Sequence, residues 1–169
     1  MKLSPVAPRL VLDTNVWLDW LVFDDPGVRS LRAAAYAGTA TVFMTAACAD
    51  ELARVLASPL RKATLDWALQ AEYLQNCRRL VHWVDDESLT LVTCLARCAD
   101  PDDQKFIQLA TACSADYLVT RDRALLKVGS RRTVPSGGPA APHNGAGAFP
   151  GTARSGGASV DHFVRGHQN

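Results

Sequence analysis

Four acidic residues sit in settings where an acid is out of keeping with its neighbours. Asp13 ends the apolar run of residues 10–12 in "RLVLDTNVWL", and apolar residues resume at once after it. Glu51 lies within a helical stripe formed by Ala47, Cys48, Leu52 and Val55. A carboxylate on such a stripe is costly unless it is paired or bound to a metal. In "ADPDDQKFIQLA" Asp103 shares its face with Phe106, Ile107 and Ala110, the face that would pack on a sheet. Asp122, in "YLVTRDRALL", repeats the opening pattern of apolar run, polar step and aspartate.

Taken singly, each acid has an ordinary reading. Glu51 is a boundary residue reaching water, and Asp122 caps a short helix. Asp100 is an N-cap followed by a proline at the first helical position, with Asp102 and Asp103 in a first turn that favours anions. Taken together, four acids are expected at one sheet edge with no lysine or arginine inside the cluster, and like charges so placed need a counterion. Mg²⁺ or Mn²⁺ prefers such oxygen ligands. Carboxylates holding one or two of these ions serve the in-line attack of water on a phosphodiester. Asp102, on the side of Lys105, is expected to be exposed. His82 falls on a strand and is read as structural.

The elements that must position these residues alternate. Short apolar strands are expected at residues 10–12, 41–45, 81–84 and 116–120. Helices are expected at residues 16–22, 28–37, 46–57, 60–80, 89–97, 102–114 and 122–127. Strands apolar on both faces, alternating with helices, mark an α/β fold with a parallel sheet covered on both sides. Such sheets place their sites at the carboxyl ends of the strands, where Asp13 and Asp122 fall.

The chain has 169 residues and a net charge of +1, enough for one domain with a real core. Up to Lys127 it carries 14 Lys/Arg against 16 Asp/Glu. Binding of nucleic acid would therefore rest on a local basic patch or on bound cations. Arg121, Arg123 and Lys127, with Arg54, Arg61 and Lys62, are candidates to hold nucleic-acid phosphates, although each is also explained as part of a solvated face. Trp17 and Trp20 are expected to pack the first helix. The five cysteines fit reduced thiols of a cytoplasmic protein, and Cys94 with Cys98 lacks a second pair for zinc. Neither a membrane span nor a signal peptide is expected. From Gly129 the sequence turns Gly/Pro-rich and aperiodic. Residues 129–169 therefore read as a disordered tail after a domain at residues 9–128.

"LVLDTNVWL", "ADELARVL", "CADPDDQKFIQLA" and "DYLVTRDRALL" together resemble the PIN-domain nucleases, and within them the toxin components of bacterial toxin–antitoxin systems. The resemblance covers residue 9 to about 127, with all four motifs in order. It implies a PIN-like three-layer fold with strand order 3-2-1-4-5, and metal-dependent cleavage of single-stranded RNA. It also implies metal-binding and catalytic roles for Asp13, Glu51, Asp103 and Asp122. Asn15 and Thr120 match positions that orient the carboxylates, and Asp100 and Asp102 match further family acids. A small antitoxin protein as partner and a homodimer follow by the same likeness. Two departures stand out: Ala99 replaces a common arginine, and only "RRTVP" at residues 131–135 could supply the last strand. The tail reads as a slipped coding frame that would leave the fourth strand's edge open. The alternatives are a catalytically impaired PIN scaffold acting as a binding module, or a housekeeping RNA-processing nuclease.

Overall fold

The sheet grows outward from strand β1 (Arg9–Leu12) in the computed structural model, which describes residues 7–60, 64–90, 97–130 and 163–165. Leu10, Val11 and Leu12 are buried on both faces, as a central strand requires. The chain turns at once into α1 (Thr14–Leu21). A 3₁₀ turn (Pro26–Val28) leads to α2 (Arg29–Tyr36). Gly38 ends α2 at φ 68°, in the left-handed conformation glycine adopts without strain. Next come β2 (Thr41–Met44), α3 (Ala46–Leu56), α4 (Trp67–Leu80), β3 (His82–Trp83) and α5 (Asp86–Thr90). A second 3₁₀ turn (Pro101–Asp103) opens α6 (Gln104–Ala112), followed by β4 (Tyr117–Val119), α7 (Arg123–Ser130) and β5 (Phe163–Arg165).

The strand order is β3-β2-β1-β4-β5. β1 pairs in parallel with β2, Leu10 opposite Val42, and with β4, Leu12 opposite Val119. α6 packs on β1 and β4, and α3 packs against α1, α4 and α6. The buried faces of these helices carry Leu52 and Leu56 on α3 and Phe106 and Leu109 on α6. Burial of each such side chain contributes about 1.5–3 kcal/mol. On α1, Trp17 and Trp20 are buried with ring centroids 5.2 Å apart, so they are core residues rather than a platform for bases.

Three expectations change. The fifth strand is Phe163–Arg165, within the stretch read as a tail, and it runs antiparallel to β4 with Leu118 opposite Val164. The sheet is therefore mixed, and β4 has a partner on its outer edge. An antiparallel strand can join an open edge without the crossover helix a parallel one needs. Residues 131–135 lie outside the described residues. The helix expected from residue 60 begins only at Trp67, where Asp66 caps it by accepting from the Ala68 N–H at 3.0 Å. α5 starts ahead of its expected position and is described to Thr90. β3 is only two residues long and exposed, a short edge of the kind that resists further strand pairing. There His82 lies beside the Phe43 ring, centroids 5.7 Å apart. No helix among the described residues is long and apolar enough to cross a membrane.

Candidate metal centre

The parallel register of β1 and β4 brings the ends of both strands side by side. The Asp13 N–H donates to the Val119 carbonyl at 3.1 Å, which ties the two ends together. Asp13 then serves as the N-cap of α1, its Oδ1 accepting from the Val16 N–H at 2.8 Å. Its Oδ2 accepts from the Thr120 hydroxyl, and the Arg121 N–H also donates to the carboxylate. Asp13 is 2% exposed. That burial raises its pKa, against the opposing pull of Thr120, Val16 and Arg121.

Thr120 is fully buried and links two acids. It donates to Asp13, and its oxygen accepts from the Asp122 N–H at 2.9 Å. Asp122 Oδ1 in turn accepts from the N–H groups of Ala124 at 2.6 Å and Leu125 at 3.2 Å, capping α7. The sequence alternatives of cap and site residue are thus not exclusive. The capping bonds use one oxygen of Asp122, and Oδ2 takes no hydrogen bond or ion pair among the described residues.

Glu51 reaches the same strand ends from α3. Its Oε1 accepts from the Thr14 hydroxyl at 2.5 Å. Its Oε2 forms an ion pair with Lys105 Nζ. The expectation of a cluster without a lysine is therefore corrected: Lys105 leaves the solvent side of α6 and folds back onto Glu51. Its long apolar stem makes this possible, since the charge can travel while the methylenes stay packed.

Asp103 differs from the other three. It starts α6 without a side-chain capping bond, and no hydrogen bond or ion pair reaches its carboxylate among the described residues. Partial burial pushes its pKa up to about 6, reinforced in turn by the charges of Asp122, Asp100, Glu51 and Asp13. Asp13, Glu51, Asp100 and Asp122 thus lie close enough for their charges to act on Asp103. Asp100 is exposed and caps the 3₁₀ turn, its Oδ1 accepting from the Asp102 N–H at 2.9 Å. Asp102 is exposed, as expected.

Other candidates sit apart. Asn15 is exposed, and among the described residues no hydrogen bond joins it to a carboxylate; Thr14 makes that contact instead. Arg121 turns away from the acids to Asp19 and Asp25, each at 3.1 Å, so its guanidinium braces the end of α1 and the loop that follows. Arg123, Lys127 and Arg54 are exposed. Arg61, Lys62 and Cys94 lie outside the described residues. Cys48, Cys77, Cys98 and Cys113 are free thiols.

Sequence reasoning missed Thr14 and Lys105. Thr14 carries a faint signal, a hydroxyl directly after the capping Asp13. Lys105 carries a stronger one, a lysine one turn from the acids on a helix whose buried face they border.

Among the described residues, no three His, Cys, Asp or Glu side chains form a ready-made ion site. The donor set nevertheless fits a hard divalent cation. It is all oxygen, and the repulsion borne by Asp103 is what such a cation would relieve.

The sequence profile of a family described as PIN domain matches residues 9–124, which includes all four acids. A comparison with curated proteins finds no match. Among solved structures, the fold is similar to a chain in the crystal structure of VapBC2 from Rickettsia felis bound to a DNA fragment from their promoter. The TM-score is 0.51 at 15% identity, covering 71% of this chain and 92% of that one. The likeness bears on the fold.

Proposed function

Because the chain belongs to the PIN-domain family, we propose that it is a metal-dependent endoribonuclease that cleaves single-stranded RNA, acting as the toxin of a toxin–antitoxin pair. The observation that carries the chemistry is the gathering of carboxylates at the strand ends, where Thr120 bonds both Asp13 and the Asp122 backbone, Thr14 bonds Glu51, and the Asp103 carboxylate takes no hydrogen bond or ion pair among the described residues. Asp13, Asp103 and Asp122 would hold Mg²⁺ or Mn²⁺, with Glu51 beside them. Once bound, the ion neutralises charge on a phosphodiester oxygen and acidifies a water.

The chain's own residues prepare that centre. Thr120 holds Asp13 and the Asp122 backbone together, tying the end of β1 to the residues after β4. Thr14 fixes Glu51 Oε1. Burial of the Asp13 side removes competing water and strengthens local electrostatics. Exposed Arg123 is placed to meet RNA phosphates, and Lys127 is exposed on the same helix, whereas Arg121 is occupied by Asp19 and Asp25. A small antitoxin partner and a homodimer are supported by the resemblance of the four motifs, and the antitoxin also by the likeness to a chain of the VapBC2 complex.

The test is cleavage of a labelled single-stranded RNA by the full chain, with Mn²⁺ or Mg²⁺ against EDTA, alongside Asp13→Asn. Metal-dependent cleavage lost in the variant is expected. Cleavage that survives EDTA or the substitution would overturn the reading, and a folded chain with no cleavage would favour the binding-module alternative.

A further inference from the structure

The four acids are not equally provided for. Glu51 has both oxygens engaged, Oε1 by the Thr14 hydroxyl and Oε2 by the Lys105 ammonium. The lysine is held there by more than one contact. Its Nζ also donates to the Asp102 carbonyl, and it lies 5.1 Å from the centroid of the Phe106 ring. The Lys105 side chain is 21% exposed and that of Glu51 17%, so the pair is partly shielded from water and salt. A lysine on an amphipathic helix ordinarily extends into solvent, and one bent back onto an acid is a fixed positive charge. On the opposite side of the centre Asp103 has no such partner among the described residues, and Arg121, beside Asp122 in sequence, is turned to Asp19 and Asp25.

Resting on the reading of these acids as a metal centre, we propose that Lys105 takes the place of one cation, so that the centre holds a single divalent ion on the Asp103–Asp122 side and Glu51 is left to the lysine. Two divalent ions would need to share four carboxylates with an ammonium already among them. The second ion would have to displace Lys105 from Glu51 or accept its repulsion at close range. Lys105 is thus a positioning residue that sets the number of ions and keeps Glu51 oriented through the α3–α6 contact.

The experiment is a Mn²⁺ titration of the full chain, with free Mn²⁺ followed by electron paramagnetic resonance. The wild type is compared with Lys105→Met, Lys105→Arg and Asp103→Asn. One ion is expected in the wild type, and its loss in Asp103→Asn. Lys105→Met should take up a second ion, or bind the first on the order of ten-fold more tightly, as removal of a unit charge a few ångströms away implies. Lys105→Arg should behave as the wild type. Lys105→Gln replaces Lys105→Met if that variant does not fold. In a Glu51→Gln background, Lys105→Met should add no ion. Two ions in the wild type would overturn the proposal. So would unchanged stoichiometry and affinity in Lys105→Met, while the ion lost in Asp103→Asn left the metal centre itself standing. If neither the wild type nor any Lys105 variant binds Mn²⁺, the metal-centre reading fails and this proposal fails with it.

Discussion

The two sides of the strand-end cluster are built on different terms. On one side, Asp13 and Glu51 have all four carboxylate oxygens engaged, by Val16, Thr120, Thr14 and Lys105. On the other, Asp103 bears the repulsion of its neighbours with no bond in return among the described residues. The first side belongs to the fold as much as to any chemistry. The second costs the fold something and gives it nothing visible. Satisfied groups contribute to stability, whereas a carboxylate close to other acids and without a partner does not.

This contrast yields predictions in descending size. Asp103→Asn should reduce metal-dependent RNA cleavage by more than about 100-fold, as expected for loss of a metal-holding group, while the thermal midpoint stays level or rises. A fall in both activity and midpoint would show that Asp103 is structural. Asp13→Ala should also abolish cleavage, but at a cost of about 2 kcal/mol in unfolding free energy, since a helix cap and a buried partner of Thr120 are lost together. Chemical denaturation would measure it, and an unchanged midpoint would erase the difference between the two sides. Thr14→Val should cost about 1 kcal/mol and loosen Glu51 without removing a carboxylate, so cleavage should weaken rather than vanish.

The smallest effect concerns pH. The carboxyl of Asp103 is raised from its ordinary value of 3.8 to about 6, so the folded state holds the proton more tightly than the unfolded chain. Its contribution to stability is full below 3.8 and is lost as pH rises through about 6. Metal-free protein should therefore lose part of its stability across that window, and Asp103→Asn should flatten the loss. The partial exposure of Asp103 keeps the effect modest. A midpoint that does not change with pH between those values in the wild type would remove the repulsion on which the contrast rests.

Much of this was legible in the sequence because it depends on local pattern. The apolar run ending at Asp13 predicted both β1 and the placement of the acid at its carboxyl end. Asp100 followed by Pro101 marked the turn that opens α6. The stripe around Glu51 marked its carboxylate as one that needs a partner unless it reaches water at the boundary. What escaped depends on contacts between distant elements. Lys105 was read from its own helix, where it belongs to the polar side, and its partner is on α3. Arg121 looked like a free cation beside an acid, but its guanidinium is taken by Asp19 and Asp25 on the far side of the loop. β5 escaped because a strand of three residues in a Gly-rich stretch has no periodicity to detect, and its pairing with β4 is set by an open edge elsewhere in the chain.

Several of the acids lead double lives as helix caps. Asp13 starts α1, Asp122 starts α7, and Asp100 starts the turn before α6. A lineage that had given up cleavage would still be under pressure to keep these residues, because losing them loosens the ends of helices. Their persistence in descendants would testify to folding, not to catalysis. Asp103 caps nothing by its side chain. On the metal-centre reading proposed above, it is the position where mutation would silence the enzyme and leave the architecture unharmed, and so the position whose drift would record the loss of the activity first.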